Sequence, residues 1–296
     1  MKVTAVAISA AALFAQGAYS WGLVGHATVA YVAQNYMNGA ARILTSHLLS
    51  GTPLAEIASW ADTFRTTPDG RFSAVLHYID ANDKPPQKCN VKMERDCASE
   101  GCIVTAIANY TSRILDDTLD FSERSDALKF IVHFFGDISQ PLHTEGLAVG
   151  GNEISVLWGN LTTGAKVNLH AAWDRQFVDT LAGGNTLAAA NSLAKNIIAD
   201  LDTGIYKDLK AGWTSCGSIK RGTGCPKAWA QDSNRLICSN VLANGVEEVE
   251  GKDISGDYYA ANVPIVRQQL AKGGYRLGLW LNAIAKAEQL KCSSRP

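Results

Sequence analysis

The chain has 296 residues, 47% of them hydrophobic, with 27 basic against 28 acidic side chains and a net charge of −1. That balance excludes a general basic surface for a long run of duplex phosphates, so a nucleic-acid substrate would have to be gripped locally. The length suits one large domain or two small ones, and no segment after the first twenty residues reads as a membrane span.

Residues 1–20 read as a cleaved secretory signal: Lys2 gives a basic start, Val3 to Phe14 an apolar run too short to cross a bilayer, and Ala18-Tyr19-Ser20 a small-residue exit. The mature protein is then secreted and extracellular and begins at Trp21, and losing Lys2 takes the net charge from −1 to −2. In an exported chain the seven cysteines, Cys89, Cys97, Cys102, Cys216, Cys225, Cys238 and Cys292, read as a disulfide framework with one left over. No CxxC pair supports zinc thiolates instead. Asn109-Tyr-Thr and Asn160-Leu-Thr are glycosylation sequons, expected to be exposed.

From His26 the pattern is helical. Apolar residues at Val29, Val32, Ala33 and Tyr36, then Ile43, Leu44 and Leu48, then Leu54, Ile57, Ala58 and Ala61 mark successive amphipathic faces, broken at Gly39, Gly51 and Thr67-Pro-Asp-Gly. Asp80 to Gly101 is a loop with Pro85-Pro86, held by disulfides. Helices are expected over Ile103 to Leu119 and from Ser122, an N-cap candidate, through Ile138. Ile154, Val156 and Trp158, followed by Lys166-Val-Asn-Leu, suggest a β-hairpin that delivers the chain to His170. Further helices are expected at Thr186 to Leu201, Lys227 to Leu242 and Asp257 to Ala287, the last kinked at Pro264 and Gly273-Gly274. The expected fold is mainly α, a single-domain α-helical bundle over residues 21–296 with one small β-hairpin.

The chemistry concentrates in HFFGDISQPLH, His133 to His143. His133 and Asp137 are four apart and leave one helix face, and Pro141 turns His143 towards them. The same His-x-x-x-Asp spacing recurs at His170 and Asp174. An Asp buried on an apolar helix face is costly unless something cationic pairs with it, which favours a metal over hydrogen-bonded core histidines. His26, Asp62 and His77 are further ligand candidates, whereas His47, on a helix with Leu44 and Leu48, reads as a surface histidine. Imidazole with carboxylate suits zinc in a site that keeps open positions; spacing alone does not fix the number of ions.

WGxxGH from Trp21, SWAD with Arg65 three residues after Asp62, HYIDANDKPP from His77, HFFGDISQPLH, GGN from Gly150 and LHAAWD from Leu169 together resemble the zinc-dependent single-strand nuclease and 3'-nucleotidase family of fungi and plants, the S1/P1 type, whose fold is like that of phospholipase C. The resemblance implies three zinc ions: the first held by Asp62, His77, His133 and Asp137, the second by His143, His170 and Asp174, the third by His26, Asp137 and the amine and carbonyl of Trp21. It implies cleavage of single-stranded DNA and RNA to 5'-phosphorylated products, and of 3'-nucleotides, with no membrane and no obligate protein partner. Asp62 would orient the attacking water and Arg65 would neutralise phosphoryl charge. Tyr78, where the family usually has Phe, would stack on a base, with Asp80 or Asp83 accepting from base N–H groups. The resemblance also suggests disulfides Cys97–Cys102 and Cys89–Cys238. Cys216 and Cys225 remain as a local bridge and Cys292 as unpaired, a departure from the family's two bridges.

The alternative reading is a zinc-dependent phospholipase C-type phosphodiesterase. Choline recognition would call for an acidic or aromatic cage, whereas HYIDAND is placed to read a base. A secreted zinc-binding protein without catalysis would be expected to have closed four-coordinate sites and no counterpart of Arg65.

Overall fold

The computed structural model describes residues 21–216 and 218–293, without the side chains of 292 and 293. The expected signal segment and the Cys292 side chain lie outside the described residues.

The fold is a mainly α bundle with one antiparallel hairpin. The first half carries α1 (Leu23–Tyr36), α2 (Gly39–Leu48), α3 (Leu54–Ile57), α4 (Trp60–Phe64), a 3-10 turn over Arg71–His77, α5 (Met93–Asp96), α6 (Ile103–Ile114) and α7 (Phe121–Asp137). A 3-10 turn over Pro141–Thr144 and the short turn α8 (Ala148–Gly151) lead to the hairpin β1 (Ser155–Trp158) and β2 (Ala165–Asn168). Ser155 lies opposite Asn168 and Trp158 opposite Ala165. Then follow α9 (Leu169–Ala171), a π turn over Ala172–Gln176, α10 (Phe177–Ala182), α11 (Leu187–Asp202), α12 (Gly224–Leu236) and α13 (Asp257–Ser293). No helix among the described residues is long and apolar enough to cross a membrane.

Two helices are buried on nearly every side. In α1 the run Val24 to Ala30 is buried throughout, and in α7 the run Ala127 to Asp137 is buried except Lys129. The small residues of α1 let α13 approach closely: a Cβ on Gly274 would fall 2.5 Å from the Val32 Cβ, and one on Gly278 2.8 Å from the Ala33 carbonyl. Gly273 likewise faces Ser139 and the Phe135 carbonyl. The Gly273-Gly274 pair therefore serves close helix packing inside α13, which runs unbroken past it and past Pro264.

Local chemistry moved several boundaries. Asp120, not Ser122, caps α7: its carboxylate accepts from Glu123 N at 2.8 Å and Glu123 reaches back to Asp120 N. Helix α6 stops at Ile114, short of Leu119, where Asp116 Oδ1 accepts from Thr118 N at 2.9 Å and offers the backbone a turn. The segment Leu54 to Ala61 breaks at Ser59 into α3 and α4.

Cys89–Cys238 and Cys97–Cys102 are disulfides, and the first ties the Asp80–Gly101 loop to the π turn that follows α12. The expected Cys216–Cys225 bridge is absent; both are free thiols. Cys225 is buried at the start of α12, its thiol donates to the Ser218 carbonyl at 3.9 Å, and burial first, then Cys216, pushes it up to about 11. It is a protonated apolar neighbour of Cys216 and not a thiolate able to attack. Asn109 and Asn160 are both exposed.

Candidate metal centre

The ligand candidates come from seven separate elements. His26 stands on α1, Asp62 on α4, His77 at the end of the 3-10 turn, His133 and Asp137 in the last turns of α7, His143 on the Pro141–Thr144 turn, His170 on α9 and Asp174 in the π turn. All eight side chains are buried, none more than 4% exposed, which is unusual for three aspartates without a matching set of lysines or arginines. His47 is exposed, edge-on to Phe121, and takes no part.

Helix α7 ends at Asp137 as its spacing requires, and Pro141 opens the next turn with Gln140 Oε1 accepting from Leu142 N. That short non-helical step carries His143 away from the His133 face. Its ring is held by Nδ1 donating to the His77 carbonyl at 2.8 Å. His170 Nδ1 donates to the Gly150 carbonyl at 2.7 Å, and His133 Nδ1 to the Ala58 carbonyl at 2.8 Å. Gly150 sits at φ 61°, and a Cβ there would lie 2.8 Å from the Leu142 carbonyl, so the GGN motif needs glycine at that point.

With each Nδ1 proton committed to a carbonyl, the Nε2 atoms of neutral His143 and His170 are both lone pairs, yet they face each other at 3.1 Å. Asp174 Oδ2 joins them, 3.3 Å from His170 Nε2. The second cluster is equally close-set, with His77 turning Nδ1 instead of Nε2 inward. His133 Nε2 lies 3.1 Å from His77 Nδ1, 3.3 Å from Asp137 Oδ2 and 3.7 Å from Asp62 Oδ1, and His77 Nδ1 lies 3.0 Å from the same Asp137 oxygen. Ligands at about 2.0–2.1 Å from a tetrahedral ion sit about 3.3 Å from one another, the spacing found here.

Asp137 lies between His133 and His26: Oδ2 faces His77 and His133, and Oδ1 faces His26 Nε2 at 3.3 Å. The His26 ring stacks on His133 with centroids 4.0 Å apart. Gly136 makes room for it, since a Cβ there would fall 2.5 Å from His26 Nδ1. Trp21 is fully buried one turn before His26, its indole N–H donating to Ser139 Oγ at 3.0 Å, and Gly22 N donates to the Asp174 carbonyl at 2.8 Å. The chain at Trp21 is thereby anchored between the two clusters.

Arg65 reaches Asp62 Oδ1 at 3.2 Å, and Asp62 also lines a cavity of about 430 Å³ with Ser59, Thr63 and Arg175. Tyr78 is half-buried and Asp80 exposed. Asp83 differs: its Oδ2 accepts from Asn90 N at 2.9 Å and Asn234 Nδ2 at 3.1 Å, so it is turned into the protein. Two contributors escaped the sequence reading. Gln140 donates to Asp174 Oδ1 at 2.7 Å, and the carbonyls of Ala58, His77 and Gly150 orient three rings. The sequence carries no signal for the first, because only the fold shows that Gln140 is fully buried and holds Asp174.

Burial lowers His77 to about 4 and His170 to about 3, so both are neutral lone-pair donors across the working range. Burial also pushes Asp174 well above the usual carboxylate range, against the Gln140 hydrogen bond. For His133, burial opposes the charge, but Asp137 and then Asp62 outweigh it and raise the ring to about 9. Raised from about 6.5, this group contributes stability to the metal-free protein that is fully present below pH about 6.5 and lost as pH rises through 9. A divalent ion must displace that proton. Calorimetric titration of metal-free protein at pH 7, in two buffers of different ionisation enthalpy, is therefore expected to show proton release, and affinity is expected to fall with pH below about 9. Binding without proton release, with affinity independent of pH from 6 to 8, contradicts this.

The S1/P1 nuclease family model matches residues 21–286. The chain is 43% identical to Nuclease P1 of Penicillium citrinum over 274 residues, 92% of this chain and all of the relative, and 43% identical to Nuclease S1 of Aspergillus oryzae over 282 residues, 94% and 96% of the two chains. Endonuclease 3 of Arabidopsis thaliana is 31% identical over 299 residues, 98% and 97% of the two chains. With its His/Asp clusters and mainly α fold, the chain belongs to the S1/P1 nuclease family.

Proposed function

We propose that the protein is a secreted zinc-dependent endonuclease that cleaves single-stranded DNA and RNA to 5'-phosphorylated products, and that it is also a 3'-nucleotidase. The observation that carries the metal part of this reading is the pair of imidazole lone pairs at 3.1 Å in the His143–His170–Asp174 cluster, which repel unless a cation lies between them. Zinc accepts this imidazole and carboxylate set. Three ions would be held by Asp62, His77, His133 and Asp137, by His143, His170 and Asp174, and by His26, Asp137 and the Trp21 backbone; in support, Asp137 faces His77 and His133 with one oxygen and His26 with the other.

Zinc held there supplies Lewis acidity to a phosphoryl group and lowers the pKa of water. The protein's own part is positional. Asp62, held by Arg65, orients the attacking water, and the positive charge of Arg65 meets charge developing on the phosphoryl oxygens. Tyr78 offers a ring for stacking and Asp80 an exposed acceptor for base N–H groups, while Asp83 is already occupied. Stacking requires a base outside a duplex, and a net charge near zero suits a short single strand. The phospholipase reading has no observation in its favour.

The test is digestion of single-stranded DNA and RNA with and without chelator. 5'-Mononucleotides that vanish on chelation are expected, and 3'-phosphorylated products or chelator-resistant cleavage contradict the proposal. Arg65→Ala is expected to lower kcat about 10²- to 10³-fold with zinc content retained. Wild-type turnover removes its catalytic role, and lost zinc makes it a structural partner of Asp62 instead.

Export supplies the third site. An α-amine binds zinc only as the neutral base, with a free pKa of about 7.7–8.0, and cannot bind while acylated by the preceding residue. A form with one extra residue before Trp21 is expected to lack one zinc by metal analysis and to lose activity; full zinc content in that form rejects the amine as a ligand.

A further inference from the structure

A cavity of about 170 Å³ lies between α12 and α13, walled by Trp229 of α12, by Arg276, Leu279, Trp280 and Ala283 of α13, and by Ile219 from the segment before α12. Among the described residues none of its walls is a carboxylate or one of the eight ligand candidates. Arg276 is 4% exposed; its Nε donates to the Trp213 carbonyl at 3.0 Å and its Nη2 to Asp232 Oδ2 at 2.8 Å. Its Nη1 is buried without a hydrogen-bond partner. Trp229, 3% exposed, has its ring centroid 5.5 Å from that guanidinium, and its Nε1 is a second buried donor without a partner. Trp280 shows the ordinary outcome, its Nε1 donating to Thr111 Oγ1 at 2.9 Å. Lys272 directs its ammonium to the same Asp232 Oδ2, at 2.9 Å, so two buried cations share one carboxylate oxygen. Burial disfavours both charges, and Asp232 supports them.

Buried N–H donors without acceptors carry a desolvation cost that nothing among the described residues offsets. Two buried cations on one carboxylate call for an anion. An inorganic anion would satisfy the donors and leave the indole and aliphatic walls without contacts. The space suits more than that, since a cavity of about 150 Å³ is enough for benzene. We propose that this cavity binds a small apolar monocarboxylate about the size of one aromatic ring. Its carboxylate takes a charge-assisted bond from Arg276 Nη1, with Trp229 Nε1 as the second donor, and its body packs on Ile219, Leu279 and Trp280. A neutral analogue of the same shape forfeits the ionic part, and an acid without the ring forfeits the apolar part.

The experiment titrates benzoate, benzamide and acetate separately into the zinc-loaded full chain by calorimetry, with zinc content measured before and after. Benzoate is expected to bind at a single saturable site with zinc unchanged, and benzamide and acetate at least about tenfold more weakly. Arg276→Lys, which keeps a cation for Asp232 and removes Nη1, and Trp229→Phe, which keeps a ring and removes Nε1, are each expected to weaken benzoate by at least about tenfold. No benzoate binding, or benzamide or acetate binding as tightly, overturns the proposal. So does a benzoate affinity untouched by Arg276→Lys, which would place the acid elsewhere, at the zinc centre included. If Arg276→Lys does not fold, Trp229→Phe still decides: an unchanged affinity rejects the site.

Discussion

Everything in this molecule turns on imidazole lone pairs that face one another. His143 and His170 have committed their Nδ1 protons to the carbonyls of His77 and Gly150, so nothing of their own separates two nitrogens at 3.1 Å. His133 and His77 meet at the same distance, but there Asp137 and Asp62 favour a proton on His133 that a metal ion would have to displace. A cation between the first pair relieves its electrostatic repulsion. The fold supplies the rigidity that keeps them so.

That rigidity comes from helices buried on nearly every side. Helix α7 carries His133 and Asp137 in the middle of the bundle, and α1 brings His26 against it across Gly136, where no side chain beyond hydrogen fits. Gly274 and Gly278 play the same part between α13 and α1. These close approaches keep ligands from different segments in register, because a shift of either helix would meet backbone or Cβ atoms. The long-range disulfide Cys89–Cys238 fixes the Asp80–Gly101 loop to the same frame.

The sequence made much of the centre legible because two of its motifs are local. His133 with Asp137 and His170 with Asp174 are at helical spacing, and a helix was the only structure their apolar neighbours allowed. The exclusion of His47 held for the same reason, since its face is solvent-exposed. Legibility ran out where a residue's role depends on what stands opposite it. Asp83 reads like Asp80 along the chain, yet Asn90 and Asn234 take its carboxylate inward. Gln140 gave no sign that it would hold Asp174. Gly273-Gly274 reads as a kink without the partner helix in view, and Ser122 reads as the cap in place of Asp120 because both are good capping residues two positions apart.

By itself, the sequence determined the helical class, the candidate histidines and aspartates, and the family, since periodicity, residue chemistry and ordered motifs are properties of the chain. Tertiary structure decided which imidazoles and carboxylates stand within about 3–4 Å of one another, that Asp83 turns inward while Asp80 stays exposed, and that Cys216 and Cys225 stay unbridged. Those outcomes depend on distances of about 3–4 Å between residues as far apart in sequence as His26 and Asp137 or Asp83 and Asn234, set by how helices of fixed shape exclude one another in a close-packed core.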